Sequence, residues 1–247
     1  MRRFYIPENA IYEGKAIVCG TDAHHIKNVL RLEQGDIIQL IDLYGQSYRA
    51  KIKNLSNTQI LTEIMDQFEI SPPPDLHITI AQSMLKDKKT DILVRQATEL
   101  GISRWVAFVS ERSIARPNAE RMKKKINRWK TIARSASQQC RRQLIPDIHE
   151  ELMDLKDVYS LMSTGNNYQK GFFFWERAQA ALKRDEKSSP KELILVFGPE
   201  GGFSNQEAKQ AIDYGFFVKS LGPRILRAET ATITGLSLIQ YLYGDIS

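Results

Sequence analysis

The chain has 247 residues, 42% of them hydrophobic, which is enough apolar material for one large domain or for a small module joined to a larger one. Its 35 lysines and arginines outnumber 29 aspartates and glutamates, and the resulting net charge of +6 favours an anionic partner such as nucleic acid. The opening MRRFYIPENA lacks the apolar core of a secretory signal and no run of about 18 apolar residues occurs, so a spanning helix is excluded and a cytoplasmic protein is predicted.

Thr21 to Leu32 can form one short helix. Residues 36–65 carry short β-branched or aromatic runs separated by Tyr44-Gly45 and by polar Asn54 to Asn57, the pattern of a meander of short strands. Ser71-Pro72-Pro73-Pro74 cannot continue a helix or a sheet ladder, and a domain boundary is predicted there, between a first domain over 1–71 and a second over 75–247. From residue 75 the texture alternates. LHITIAQ is followed by a helix from about Lys88 to Leu100 closed by Gly101, then by WVAFVS, an order that predicts βαβ units and a parallel sheet. Asn118 can cap a long helix whose Met122, Ile126, Trp129, Ile132, Ala133 and Ala136 form one buried stripe while its other face is basic. ELILVF predicts a buried strand, Ser204 with Glu207 a capping box, Gly215 a helix end, FFVKSL a further strand, and Glu229 to Tyr243 a final apolar helix. Cys19 and Cys140 stand far apart without clustered histidines, which predicts neither a disulfide nor a metal site.

Two segments carry candidate chemistry. Gly198-Pro199-Glu200-Gly201-Gly202 lies between a buried strand and a capped helix, where open α/β sheets bind ligands and where glycines permit close backbone approach. It is neither a Walker loop nor a dinucleotide fingerprint, and taken alone it equally suits an ordinary turn. Leu221-Gly222-Pro223-Arg224-Ile225-Leu226-Arg227-Ala228-Glu229 leads from another strand into the last helix. Leu221, Ile225 and Leu226 could wall an adenine-like ring, while Arg227 and Glu229 could equally be a surface ion pair at a helix start.

The ordered pair of loops resembles the SPOUT methyltransferase superfamily and, within it, the RsmE family that methylates uridine N3 in 16S ribosomal RNA. MRRFYIP, His24-His25 to Arg31, Gln96 to Gly101 and Gln138-Gln139-Cys140 extend the resemblance over nearly the whole chain, with Arg141 departing from the glycine frequent in relatives. The resemblance implies a PUA-like β-barrel followed by an α/β domain whose C-terminal loops form a trefoil knot, a homodimer, and S-adenosylmethionine bound by Gly198, Pro199, Glu200, Gly201, Gly202, Leu221, Gly222, Ile225 and Leu226, with Phe174 to Glu176 near the rim.

Neutral uridine N3 carries a proton and is a poor nucleophile, so its methylation needs a base and a cation. Glu200 and Glu229 are the candidate bases, with neither preferred, and Arg227 is the candidate cation. The sulfonium makes the methyl group electrophilic by itself, so no metal is required. For RNA contact, residues 118–142 include Lys123, Lys124, Arg128, Arg141 and Arg142 against the single acid Glu120, although a solvated helix face has the same pattern. Arg2, Arg3, His25 and Arg31 form a second candidate group on the small domain, and His77 and His149 suit structural roles. A noncatalytic RNA-binding protein, or an enzyme acting on transfer RNA or ribose 2′-hydroxyls, remains open at the level of sequence.

Overall fold

The computed structural model describes residues 2–56, 58–68, 75–162, 168–183 and 189–246, so the predicted boundary at Ser71 to Pro74 lies outside the described residues. The chain divides into two compact units, Met1–Pro73 with Ser137–Leu144, and Pro74–Ala136 with Ile145–Ser247.

In the first unit the predicted meander is β4 (Ile37–Ile41), β5 (Ser47–Leu55) and β6 (Gln59–Phe68). Three shorter strands, β1 (Arg3–Tyr5), β2 (Ile11–Tyr12) and β3 (Lys15–Cys19), complete a six-stranded sheet of order β1-β4-β5-β6-β3-β2, parallel only between β1 and β4. At two to five residues they are too short to show a period. Register shifts at Arg49/Ala50 and Ile52/Asn54 mark irregularities of the kind that bend and twist a ladder. Phe4, Ala16, Val18, Ile38, Leu40, Ile52 and Ile60 bury one shared core, closed by Ile26. The helix predicted over Thr21 to Leu32 is shorter: α1 (Gly20–His24) runs into a π-helical turn over His25–Val29.

The second unit is a wholly parallel sheet of order β12-β10-β11-β7-β8-β9. Its strands are β7 (His77–Ser83), β8 (Arg104–Val109), β9 (Asp147–Asp154), β10 (Lys170–Phe174), β11 (Glu192–Phe197) and β12 (Phe217–Lys219), and its helices α2 (Lys89–Glu99), α3 (Ala119–Cys140), α4 (Leu155–Ser160), α5 (Asn205–Asp213) and α6 (Ala228–Tyr243). Both faces of a parallel sheet are covered, which is why Leu193 to Phe197 is an unbroken apolar run with every side chain buried. Leu193, Leu195 and Phe197 join one core with α2, α3 and α6, while Ile194 and Val196 join the other with α4 and α5.

Local signals set the element ends. The Asn118 Oδ1 accepts the Arg121 N–H at 3.0 Å, opening α3, and Ser204 and Glu207 cap α5 reciprocally. Gly101 closes α2 at φ +92°. Met122, Ile126, Trp129, Ala133 and Ala136 are buried as the stripe on α3 predicted, with Ile132 partly buried beside them. Sequence reasoning assigned no strand to β9 or β10. β9 is an edge strand with Asp147, Glu150, Glu151 and Asp154, and charges on an edge hide the apolar signal.

Candidate active site

A cleft of about 210 Å³ opens at the carboxyl ends of β10, β11 and β12, where ligands enter open α/β sheets. Its walls come from three loops: Trp175 and Glu176 after β10, Gly198 to Phe203 after β11, and Ser220 to Leu226 after β12. Gly198, Pro199, Glu200, Gly201, Gly202, Leu221, Gly222, Ile225 and Leu226 all line it. Phe174 and Phe197 also line it and stack with centroids 4.7 Å apart and planes 5° from parallel, a rigid apolar surface. Ile225 is 85% exposed, an apolar side chain without cover.

The loop after β11 is held from several sides. Gly202 has φ +65°, a left-handed conformation that favours glycine, and a Cβ there would lie 3.1 Å from the Glu176 carboxylate, close enough to shift that side chain. A Cβ on Gly201 would meet the Arg112 Cβ at 3.1 Å. The Arg112 guanidinium donates to the Gly201 carbonyl at 3.1 Å, and the Trp175 indole N–H donates to the Phe203 carbonyl at 3.2 Å. Beneath the loop, the buried Gln82 amide donates to the Gly198 carbonyl at 3.1 Å, and its Oε1 accepts from the Thr232 hydroxyl at 2.6 Å. The buried Glu207 carboxylate accepts the Ser204 and Glu111 backbone N–H groups, each at 2.8 Å. Sequence reasoning missed Gln82, Lys89, Arg112 and Thr232. The available signals were a glutamine inside an apolar strand and a threonine inside an apolar helix.

The charges at the rim are coupled. The Lys89 ammonium lies 3.4 Å from Glu200 Oε1 and 3.5 Å from Glu229 Oε2, and the Lys86 backbone N–H donates to Glu200 Oε1 at 3.1 Å. Burial pushes the Glu200 carboxyl up, but the N–H groups of Lys86 and Glu200 itself together with Lys89 outweigh it and hold the group below the usual carboxylate range. Arg227 and Glu229 lie outside the cleft lining. Arg227 is the N-cap residue of α6, and its exposed guanidinium makes no hydrogen bond or ion pair among the described residues; Glu229 follows in the first helical turn.

The candidate RNA-contacting residues fall into two groups. In the first unit, Arg3 donates to the Gln39 side chain at 2.9 Å and to the Arg141 carbonyl, and the Tyr5 hydroxyl donates to the Arg142 carbonyl at 2.6 Å. Burial helps push Tyr5 up to about 12, so it remains a donor. Arg2, Arg31 and Arg141 are exposed, the last two with left-handed backbone, while His25 is half-buried with its ring edge-on to Phe4. On α3, Lys123 has no ion pair among the described residues, but Lys124 pairs with Glu120 and Arg128 with Asp91, each at 2.7 Å. Folding thus supplies acids absent from residues 118–142: Asp91 from α2, and Glu150 from β9 against Lys130. His149 contacts Arg104 at 3.0 Å, and burial with that cation lowers its basicity, in keeping with a structural role. Among the described residues no cluster of three or more His, Cys, Asp or Glu side chains could hold a metal ion, and no helix is long and apolar enough to cross a membrane.

Residues 72–240 match the model of an RNA methyltransferase domain, and residues 18–65 that of an RNA methyltransferase PUA domain. The chain is 29% identical to ribosomal RNA small subunit methyltransferase E of Bacillus subtilis, over 99% of this chain and 100% of that one. It is 33% identical to the protein of that name from Aquifex aeolicus, over 85% of this chain and 88% of that one. Among solved structures it is similar to ribosomal RNA small subunit methyltransferase E from Neisseria gonorrhoeae bound to S-adenosyl methionine, with TM-score 0.88, 28% identity and full coverage (100%) of both chains. A methyltransferase from Legionella pneumophila in complex with the same cofactor gives TM-score 0.87 at 28% identity over 99% of this chain and 98% of that one.

Proposed function

Because the chain belongs to the RNA methyltransferase family, we propose that it transfers the methyl group of S-adenosylmethionine to N3 of a specific uridine in 16S ribosomal RNA of the small subunit. The observation that carries this reading is the cleft itself, in which both sequence-predicted loops face one space at the ends of adjacent parallel strands. The residues present fit the cofactor. Leu221, Ile225, Leu226 and the stacked Phe174 and Phe197 offer apolar walls for an adenine ring, and glycines at 198, 201, 202 and 222 carry no side chain to hold a ligand away from the backbone of either loop. The cofactor supplies an electrophilic methyl group, and the chain supplies positioning, proton removal and charge stabilisation.

Glu200 and Glu229 are the candidate bases, Glu176 being a further carboxylate in the cleft wall, and Arg227, two residues before Glu229, is the uncommitted cation. Either carboxylate can serve as the base, Glu200 from the loop after β11 and Glu229 from the first turn of α6. The Arg227 guanidinium is suited to the uracil oxygens as negative charge develops. Arg2, Arg3, His25, Arg31, Arg141 and Arg142 on the first unit, with Lys123, Lys124 and Arg128 on α3, serve the RNA backbone. The reading includes a trefoil knot formed by the cleft loops, a cytoplasmic location and a homodimer, for which the outward Leu238 and Tyr241 of α6 offer apolar surface. Methyl transfer from labelled S-adenosylmethionine to small ribosomal subunits lacking this modification, followed by nucleoside analysis, is the test. 3-Methyluridine is expected, and a different methylated nucleoside, or none, overturns the substrate assignment.

A further inference from the structure

We propose that Lys89 is a positioning residue of this methyl-transfer site, its ammonium holding the two cleft-lining loops in register through Glu200 and Glu229; the proposal rests on the cofactor reading of the cleft. Lys89 is the first residue of α2, far in sequence from both carboxylates. Glu200 sits in the glycine-rich loop after β11, and Glu229 in the first turn of α6, directly after the loop from β12. The two loops form different walls of the cleft, and one ammonium lies 3.4 Å from the first carboxylate and 3.5 Å from the second.

The carboxylates need that charge. Glu229 Oε2 is buried and has no hydrogen bond among the described residues, so the Lys89 ammonium is the cation it faces. All three side chains are only 24–34% exposed, so water screens the cluster less than at an open surface. Without Lys89 two like charges would share one rim, and the inexpensive relief is separation of the loops. The far end of the same helix pair is fastened independently, where the Gln240 amide donates to the Leu100 carbonyl at 2.7 Å. Loss of Lys89 therefore frees the cleft end of α2 and α6 while the pair stays packed. Glu200 and Glu229 thereby gain a second task beside proton chemistry, which is to tie each loop to α2.

The test is calorimetric titration of S-adenosylmethionine into the full chain and its variants, with no RNA and no turnover. Lys89→Met should weaken affinity by about tenfold, as expected when one member of a partly buried ion cluster is removed. Lys89→Arg, which keeps the charge, should stay within about threefold. Lys89→Met with Glu229→Gln should recover part of the loss, because only one carboxylate then remains. Wild-type affinity in Lys89→Met, or a double variant no tighter than the single one, overturns the proposal. If Lys89→Met does not fold, Lys89→Gln carries the same comparison. Failure of the unaltered chain to bind S-adenosylmethionine removes the cofactor reading and this proposal together, whereas wild-type binding with an indifferent Lys89 removes only the latter.

Discussion

Two side chains under the cleft, Gln82 and Thr232, hold its floor. The Thr232 hydroxyl lies 2.6 Å from Gln82 Oε1 and 2.9 Å from the Ala228 carbonyl, and Gln82 fixes the Gly198 carbonyl in turn. Thr232→Val keeps the shape but leaves buried Gln82 Oε1 without its donor, and urea denaturation should show a loss of about 1–3 kcal/mol. Gly235 illustrates competing effects. Alanine would raise helix propensity by up to about 1 kcal/mol. Its Cβ, however, would lie 2.7 Å from Phe197 Cε1, and overpacking costs about 1–3 kcal/mol. Gly235→Ala should therefore melt lower and, by displacing the Phe197 ring, bind S-adenosylmethionine more weakly in calorimetry. Arg227, exposed at the start of α6, bears on chemistry more than on the fold: Arg227→Ala should cut turnover at least tenfold while the cofactor dissociation constant moves less than about threefold. Equal effects on both would remove it from the transition state.

At the scale of elements, α3 separates paired from unpaired charge. Lys124, Arg128 and Lys130 are matched by Glu120, Asp91 and Glu150, whereas Arg121, Lys123 and Lys125 have no ion pair among the described residues. Replacing the unpaired three by alanine should flatten the salt dependence of RNA binding by up to about 0.7–0.9 for each phosphate left without its cation. The paired three should change the slope less, because each must first leave its acid. Filter binding across a salt series distinguishes the two sets, and equal slopes would show that the helix pairs do not persist in the complex. The helix itself was legible in the sequence, because Asn118 and the stripe from Met122 to Ala136 state a start and a buried face. Its charge balance was not, since Asp91 and Glu150 arrive from α2 and β9.

At the scale of the molecule, the division into units does not follow the chain. Ser137–Leu144, reached only after more than a third of the second unit has been traversed, belongs to the first. Within that unit the Arg141 and Arg142 carbonyls receive Arg3 and Tyr5, and the Gln138 amide donates to Asp22 at 3.2 Å. A fragment ending at residue 73 loses all three and should melt less cooperatively than the first unit in the full chain, as followed by circular dichroism. A fragment as stable as the parent would show that the segment adds nothing. The contiguous division at residues 71–75 predicted from the prolines cannot contain this return, because a proline run marks where the chain is stiff and says nothing of where it comes back.

The sequence by itself determined β7, α2, β8, α3, β11, α5, β12 and α6, the caps at Asn118, Ser204 and Gly215, the membership of the cleft at Gly198 to Gly202 and at Leu221, Gly222, Ile225 and Leu226, and the resemblance that pointed to methyl transfer. These are local patterns or ordered motifs, written in neighbouring residues. Only the tertiary structure decided that Gln82 and Thr232 hold the floor, that Arg112 backs Gly201, and that Lys89 sits between Glu200 and Glu229. Each of these joins residues tens to more than a hundred positions apart, and the parallel sheet is what brings them together. Crossover connections return every strand in the same direction, so all the strand ends that build the site gather at one edge whatever their order along the chain.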